Sequence, residues 1–131
     1  MTTIISHGID LVDIARLERT LSEHPERFLE RCFTEGERAY AESRPKRRSQ
    51  HLAARFAAKE AVMKAIGTGL ANGVSWKEIE VRLLPSGAPA LSVTGKAGEV
   101  AAGLGITGWL ISLSHTDFQA VASVIGVGVG E

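Results

Sequence analysis

Charged side chains recur in an otherwise apolar, alanine-rich stretch at residues 52–69 of the 131-residue chain. They are Arg55, Lys59, Glu60 and Lys64. At about 100° of rotation per helical residue, Lys59 falls inside the arc of the large apolar side chains. Because an unpaired buried charge is costly, these groups need partners, which could be one another, other charges, a metal ion or an anion.

Two interpretations of this pattern stay open on the residues alone. Glu60 and Lys64 are spaced i,i+4 and could pair, whereas Arg55 and Lys59 have the same spacing and repel unless an anion lies between them. The first interpretation is an amphipathic helix whose charges are solvated and whose lysines extend to solvent. The second is a site that binds a polyanion, with or without a divalent cation.

The same stretch predicts one long, buried helix. Alanine is the strongest helix former, and residues 52–66 contain no proline or glycine. Gly67 and Gly69 then provide a usual helix end. A helix that is apolar nearly all round should be buried, and its small side chains should allow another backbone to approach closely. The alanines opposite the large apolar side chains are Ala54, Ala58, Ala61 and Ala65.

The N-terminal residues 3–12 are β-branched and apolar, and they predict a strand. Gly8 inside it suggests a close backbone approach. Asp10 interrupts the apolar run between Ile9 and Leu11. An acidic residue there either lies on the exposed face of a half-buried strand or is held inside to bind a hard cation.

Residues 14–50 are predicted to be helical and rich in charge. Thr34 and Glu37 have the spacing of a capping box at a helix start. The arginines of the first two helices form either solvated faces or a docking surface for an acidic partner, because arginine makes bidentate contacts with carboxylates. These arginines are Arg16, Arg19, Arg27 and Arg31.

The C-terminal half changes to short alternating stretches separated by turns, which predicts antiparallel strands. The expected fold class is therefore α+β, as one domain over residues 1–131. It has an N-terminal strand, a helical middle section with one long buried helix, and antiparallel strands in the C-terminal half. The predicted elements of that half are strands at 79–84 and 90–93, a helix at 96–104, and strands at 109–114 and 118–127.

His115 and Thr116 fall in the last of these turns. A lone histidine in a turn is usually only exposed. Hydroxyl groups beside it, such as those of Ser112, Ser114 and Thr116, would alternatively suit the oxygens of a phosphate.

Composition limits the classes of function. The 15 basic and 15 acidic residues balance, so no overall field favours nucleic acid. The single Cys32 excludes an internal disulfide, suits a reducing compartment and has apolar neighbours typical of a core thiol. No signal peptide and no apolar run of about 20 residues is recognisable. We expect a soluble, cytoplasmic domain that interacts with neither nucleic acid nor a membrane.

Three segments together resemble the short, single-domain 4′-phosphopantetheinyl transferases. They are Gly-Ile-Asp-Leu-Val at 8–12, Arg-Phe-Ala-Ala-Lys-Glu-Ala at 55–61 continuing to 69, and Ser-Leu-Ser-His-Thr at 112–116. The resemblance covers essentially the whole chain. It implies transfer of the 4′-phosphopantetheine arm of coenzyme A to a serine of an acyl carrier protein, with release of adenosine 3′,5′-bisphosphate.

The resemblance also implies roles for individual residues. Asp10 and Glu60 would bind Mg²⁺, with the coenzyme A pyrophosphate completing its coordination. Lys64 would stabilise charge on the transferring phosphoryl or leaving group, and Glu60 would accept the serine proton directly or through a water. The pyrophosphate would also be the anion between Arg55 and Lys59. The expected coenzyme A phosphate contacts are Arg55, Lys59, Lys64, His115 and Thr116.

Two partners follow from the same resemblance. Acyl carrier proteins are acidic, so the arginine-rich helices become the expected docking surface. The enzyme is expected to be a homotrimer with each active site at a subunit boundary. The expected docking residues are Arg16, Arg27, Phe28 and Arg31.

Two other functions compete with transfer. A non-catalytic coenzyme A or nucleotide-binding module would bind without turnover. A purely structural interaction protein would use its arginine-rich helices and would not bind coenzyme A.

Overall fold

The structure is a computed structural model that describes residues 1–129. Short 3₁₀ turns occur at Pro45–Arg47 and Trp76–Glu78. In chain order the helices and strands are β1 (Thr2–Asp13), α1 (Ile14–Glu23), α2 (Pro25–Cys32), α3 (Glu35–Glu42), α4 (Arg48–Ile66), β2 (Ile79–Leu83), β3 (Pro89–Val93), α5 (Gly95–Gly103), β4 (Gly108–His115) and β5 (Gln119–Val129).

The predicted α+β class is confirmed, and one antiparallel sheet carries most of the architecture. Its strand order is β1-β5-β4, while β2 and β3 form a separate hairpin. The long helix α4 packs across one face of the sheet, which we call the inner face. Inner-face residues of the central strand β5, such as Ala122 and Val124, are buried there.

The opposite, outer face of the sheet is largely apolar and uncovered in the single chain. Strand alternation and register place its side chains together. Ile9 is 54% exposed and Leu110 59% exposed. His7 Nε2 lies 3.0 Å from Ser123 Oγ within this face. The outer sheet face includes Ile4, His7, Ile9, Leu11, Leu110, Ser112, Ser114, Val121, Ser123, Ile125 and Val127.

Helix α4 is buried nearly all round, as its composition predicts. It begins at Arg48, before the alanine-rich stretch, and Gly67 ends it with a left-handed φ of 78°. Its alanine face packs inside the chain against the sheet. A Cβ on Gly8 would lie 1.9 Å from the Ala61 carbonyl oxygen, so β1 approaches the α4 backbone directly. The predicted close approach at Gly8 is confirmed.

Gly8→Ala should therefore destabilise the fold. The added methyl group overlaps backbone atoms of α4, which cannot turn aside as a flexible side chain would. Overpacking of this kind costs about 1–3 kcal/mol, and thermal unfolding should show a clearly lower midpoint. Gly103→Ala is the matched control, because nothing lies within 4 Å of that position. Equal midpoints for Gly8→Ala and the wild type would contradict the close packing of β1 on α4.

The helical middle section is divided at two points. His24 separates α1 from α2, and the extended Phe33 and Thr34 separate α2 from α3. The predicted capping box is present: Thr34 Oγ1 accepts from the Glu37 backbone N–H, and Glu37 Oε1 accepts from the Thr34 N–H. Cys32 is a buried thiol, and burial raises its pKa to about 11.

Among residues 1–129, no helix combines the length and the apolar character needed to cross a bilayer.

Candidate active site

Asp10, Glu60 and Lys64 lie together where β1 crosses α4. Asp10 occupies an inner-face position opposite Ala122, and its side chain is 10% exposed. Lys64 Nζ donates to Asp10 Oδ1 at 2.9 Å and to the Ile9 carbonyl oxygen at 3.1 Å. Asp10 is thus held inside the fold. Lys64 pairs with it and not with Glu60, the i,i+4 partner considered from the sequence.

Glu60 lies close to Asp10, and the two side chains line the same cleft. Burial, the negative charge of Asp10 and a hydrogen bond to its side chain raise the pKa of Glu60, while Lys64 and Arg16 act in the opposite direction. Two carboxylates this close repel each other when both are ionised. Lys64 is 57% exposed, so it screens the pair only partly. A further cation would stabilise the ionised pair.

The donor set fits a hard divalent cation such as Mg²⁺. Asp10 Oδ2 is buried and has no hydrogen-bond partner among the described residues, so its lone pairs are available. Within residues 1–129, no group of three or more His, Cys, Asp and Glu side chains could hold a metal ion. Mg²⁺ commonly takes one or two protein carboxylates and completes its octahedron with substrate phosphates and waters. Asp10 and Glu60 could be the two carboxylate ligands that the protein provides.

Two adjoining clefts open beside this pair. The larger, of about 680 Å³, has Asp10 and Glu60 in its wall. The smaller, of about 440 Å³, shares Phe28 and Phe56 with it. Phe28 is half-buried, with its ring centroid 5.8 Å from that of Phe56. The residues expected to dock a partner line these clefts, Arg16 and Phe28 in the larger one and Arg27, Phe28 and Arg31 in the smaller one.

Lys59 does not reach either cleft, and the prediction that it contacts a phosphate is wrong in this structure. Its side chain is 0% exposed, and Nζ forms an ion pair with Glu37 at 2.8 Å. Nζ also donates to the carbonyl oxygens of Trp76 and Ile79. Burial lowers the pKa of Lys59, and Glu37 opposes that shift. Lys59 therefore joins α4 to α3 and to the segment before β2.

Glu37 is the anion beside Lys59, in the place that the family resemblance gives to the coenzyme A pyrophosphate. One oxygen accepts from Lys59 Nζ and the Thr34 N–H, and the other accepts from the Val81 N–H at 2.8 Å. Its charge also raises the pKa of Arg55, against the larger effect of burial. The capping-box pattern identified Glu37 as a helix-capping residue but did not identify its ion pair with Lys59. The one available indication in the sequence was that a buried lysine requires a buried acidic partner.

Arg55 and His115 form a second cluster, with Tyr40 and His51. Arg55 is 3% exposed, its Cζ lies 4.4 Å from the Tyr40 ring centroid, and Nη1 donates to the His51 carbonyl oxygen. The His51 and His115 ring centroids are 6.3 Å apart. A cleft of about 280 Å³ is lined by Arg55, both histidines and the β2–β3 hairpin. Thr116 Oγ1 lies in the adjacent turn and accepts from two backbone N–H groups there.

The two clusters are separate in one chain. Arg55 and Glu60 are about 140° apart around α4. Asp10 and Glu60 line the 680 Å³ cleft on the β1 side, whereas Arg55 and His115 line the 280 Å³ cleft on the β4 side. The fold thus brings Asp10, Glu60 and Lys64 together at one site. It brings Arg55 and His115 together at a second site on the other side of α4.

Comparison with known proteins gives a consistent result. A family model of the 4'-phosphopantetheinyl transferase superfamily matches residues 6–115. The holo-[acyl-carrier-protein] synthase of Koribacter versatilis (strain Ellin345) is 46% identical over 122 residues, which are 93% of this chain and 97% of that protein.

Solved structures agree over nearly the full length. The Helicobacter pylori holo-[acyl-carrier-protein] synthase in complex with coenzyme A has a TM-score of 0.79 at 30% identity, over 93% of this chain and 99% of that one. The Bacillus anthracis str. Ames enzyme in complex with CoA (3',5'-ADP) has a TM-score of 0.78 at 35% identity, over 96% of this chain and 98% of that one.

Proposed function

This chain belongs to the 4′-phosphopantetheinyl transferase superfamily, and we propose that it moves the 4′-phosphopantetheine arm of coenzyme A onto a serine of an acyl carrier protein. The reaction requires Mg²⁺ and releases adenosine 3′,5′-bisphosphate. One observation carries the proposal: Asp10 and Glu60, distant in sequence, line the same open cleft, and Lys64 forms an ion pair with Asp10.

The chain's own groups suit this chemistry. Phosphoryl transfer needs positioning and neutralisation of developing charge more than covalent help. In the reaction, the serine oxygen bonds to phosphorus, and the bond from phosphorus to the bisphosphate leaving group breaks. Hydrogen bonding to Asp10 raises the pKa of Lys64, which therefore stays cationic near the leaving group. Glu60, whose raised pKa makes it a stronger base, accepts the serine proton.

Asp10 and Glu60 would hold the Mg²⁺ ion. When bound, Mg²⁺ supplies neutralising charge to the pyrophosphate oxygens. The shared location of the two carboxyl groups and the unpartnered Asp10 Oδ2 support this assignment.

Arg55, His115 and Thr116 would hold phosphate oxygens of coenzyme A. Arg55 and His115 lie in one cleft with Leu83, Gly87 and Pro89 of the β2–β3 hairpin. Since this cleft and the carboxylate pair lie on different sides of α4, one chain does not offer both to one coenzyme A molecule. We therefore propose that Arg55 and His115 of one copy complete the site formed by Asp10 and Glu60 of a neighbouring copy.

The outer sheet face would be the contact between copies, in a homotrimer. Four apolar side chains on it, Ile4, Ile9, Leu11 and Leu110, are more than half exposed, and exposed apolar patches of this kind mark interaction sites. It includes Ile9 of β1, and β1 is an edge strand that carries Asp10 on its inner face, so a second chain assembled there would reach the carboxylates around that edge. The alanine face of α4 is not available for assembly, because it packs inside the chain.

Leu110→Arg tests this interface. The side chain is 59% exposed, so the monomer should fold, but the new charges would be buried or brought together on assembly at a cost of several kcal/mol. Light scattering should show monomers in place of trimers, with transfer activity falling in parallel. Leu104→Arg, at a site 47% exposed and outside the sheet, should stay trimeric. A trimeric, active Leu110→Arg variant would contradict the assignment of the outer sheet face.

Carrier-protein docking would use the arginines beside the larger clefts. Arg16, Arg27 and Arg31 are exposed, and Phe28 lies between the two clefts as an apolar contact. Arg16 lies in the same cleft as Glu60, and Arg27 and Arg31 line the adjoining cleft, so a partner docked on them would bring its serine towards the carboxylates. Arginine pairs well with the carboxylates of an acidic partner.

A mass spectrum tests the proposed function. An apo acyl carrier protein incubated with the chain, coenzyme A and Mg²⁺ should gain the phosphopantetheine mass, and EDTA should abolish the gain. Binding of coenzyme A without any mass gain would favour the non-catalytic binding module. A cytoplasmic location, in which Cys32 stays reduced and coenzyme A is available, is part of the proposal.

A further inference from the structure

His7 is a titratable side chain within the apolar outer sheet face. It pairs across the sheet with Ile125, and Ile125 pairs in turn with Leu110, so the three side chains form one row. His7 Nε2 lies 3.0 Å from Ser123 Oγ, and the imidazole is exposed in the single chain. When copies of the chain meet through this face, the imidazole passes from water to an apolar contact.

Few charged groups face His7. Strand alternation places the carboxylate of Asp13 on the same face, and the amino group of Met1 precedes β1. Each lies six residues from His7, which is about 20 Å along an extended strand. Asp10 and Lys64 pair with each other on the other side of the sheet. Within the residues that the structure describes, the outer-face positions of β4 and β5 carry no charged side chain, so a charge on His7 has no close counterion.

The neutral and protonated forms of His7 differ in how well another copy can cover them. A neutral imidazole and a serine hydroxyl can satisfy each other, because each group has both a donor and an acceptor. A protonated imidazole carries a charge that loses its water on assembly and finds no acid beside it. Each copy in a homotrimer also contributes its own His7, so protonation adds like charges to one assembly.

We propose that His7 makes assembly of the homotrimer sensitive to acid: copies join through the outer sheet face while His7 is neutral, and they separate when it is protonated. This inference rests on the proposed function, in which the active site needs residues of two copies. Histidine is the side chain that ordinarily changes its charge between about pH 5 and 8. Mild acid would therefore disassemble the active site without unfolding the chain, and a return to neutral pH would restore it.

The direction and size of the effect follow from proton binding. Histidine in water is about one-tenth protonated at pH 7.5 and about nine-tenths protonated at pH 5.5. Because the separate copies bind more protons than the trimer, assembly is strongest above about pH 7.5 and weakens as the pH falls. If the trimer accepts only the neutral form, three copies together lower the association constant about 10³-fold at pH 5.5. The concentration of half-assembly varies as the square root of that constant, so it should rise about 30-fold.

Sedimentation velocity over a range of protein concentrations tests the proposal at pH 7.5 and pH 5.5, with the ionic strength held constant. The wild type should show the rise of about 30-fold in the concentration of half-assembly. His7→Leu places an apolar side chain in the same row and should assemble equally at both pH values. His7→Lys carries a charge at both and should be monomeric at both. All three proteins should stay folded by circular dichroism, because position 7 is exposed in the single chain.

The other histidines supply the control and the competing explanation. His24 is exposed between α1 and α2, outside the sheet, so His24→Leu should keep the wild-type dependence on pH. His51 and His115 line the cleft that would meet a neighbouring copy. If either of them were responsible, His7→Leu would dissociate in acid as the wild type does. That result, a wild-type trimer equally stable at both pH values, or a trimeric His7→Lys variant would overturn the proposal.

Transfer assays separate this inference from the proposed function. At pH 5.5, His7→Leu should be more active than the wild type in dilute solution, and raising the protein concentration should remove the difference. Protonation of a catalytic group would not respond to concentration in this way. Normal transfer with no effect of His7 on assembly would support the proposed function and overturn the inference.

Two further outcomes are decisive. Acid dissociation that requires His7, in a chain that modifies no carrier protein, would support the inference and contradict the proposed function. A wild type that is monomeric at pH 7.5 at every concentration would contradict the proposed assembly and the inference together.

Discussion

Glu60→Gln should abolish most of the transfer activity without destabilising the fold. The amide has nearly the shape of the carboxylate, but it binds a divalent cation poorly and cannot accept the serine proton. General-base catalysis alone contributes about 10²–10⁴-fold, so kcat should fall by at least that range.

Although Glu60→Gln should lose transfer activity, its thermal stability should be unchanged or higher. Folding raises the pKa of Glu60, so near neutral pH the ionised group is less favourable in the folded chain than in the unfolded one. Removing the charge removes this cost and the repulsion by Asp10. Thermal unfolding of Glu60→Gln without metal should therefore occur at or above the wild-type midpoint.

Steady-state transfer kinetics and thermal unfolding of one protein preparation measure both effects. Glu99→Gln, an exposed substitution on α5, should leave both at wild-type values. If Glu60→Gln kept turnover within a few-fold of the wild type, Glu60 would be neither the base nor a required ligand. If activity were lost only because the protein unfolded, the assignment would lose its support.

Lys59→Met should give the largest loss of stability. It leaves the Glu37 carboxylate buried without its ion-pair partner, with two backbone N–H groups and the charge of Arg55 as the remaining compensation. Breaking a buried ion pair on one side costs about 3–5 kcal/mol. Urea unfolding should show this loss as a lower midpoint with an unchanged slope.

The double variant Lys59→Met with Glu37→Gln should recover part of the loss, because neither charge is then left alone. Lys77→Met, at an exposed position, should stay within about 0.5 kcal/mol of the wild type. A Lys59→Met variant that unfolds normally but binds coenzyme A weakly would contradict the structural role and restore the phosphate contact predicted from the sequence.

Features that depend on local chemistry were predictable from the sequence. Gly8 signalled a close backbone approach, Gly67 signalled the end of α4, and Thr34 with Glu37 signalled a helix start. Each pattern needs only a few neighbouring residues, which explains why the helices and strands agree with their predicted places.

The partner of Lys59 was not predictable in the same way. Helical periodicity showed that Lys59 is buried, but the residue that meets it comes from another helix. The packing of α3 on α4 selects Glu37, and periodicity along one helix carries no information on that packing. The phosphate contact predicted for Lys59 was based on the family resemblance and not on the helical pattern.

The division of the site residues into two clusters also needed the fold. Asp10 could have faced either side of β1, and the bulge between Ile4 and Ser6 fixes the register in which it faces α4. Helix geometry alone separates Arg55 from Glu60 around α4. That they line different clefts is clear only once the fold places β1 on one side of α4 and β4 on the other. The assembly that would reunite the clusters stays a prediction.

If the proposed function is correct, Asp10 and Glu60 together bind one divalent cation next to the coenzyme A pyrophosphate. The most direct measurement is electron paramagnetic resonance of Mn²⁺, titrated into the chain with coenzyme A and corrected for Mn²⁺ bound by coenzyme A alone. The wild type should remove one Mn²⁺ per active site from solution, and Asp10→Asn and Glu60→Gln should each lose this binding. Wild-type Mn²⁺ affinity in both variants would contradict the proposed function.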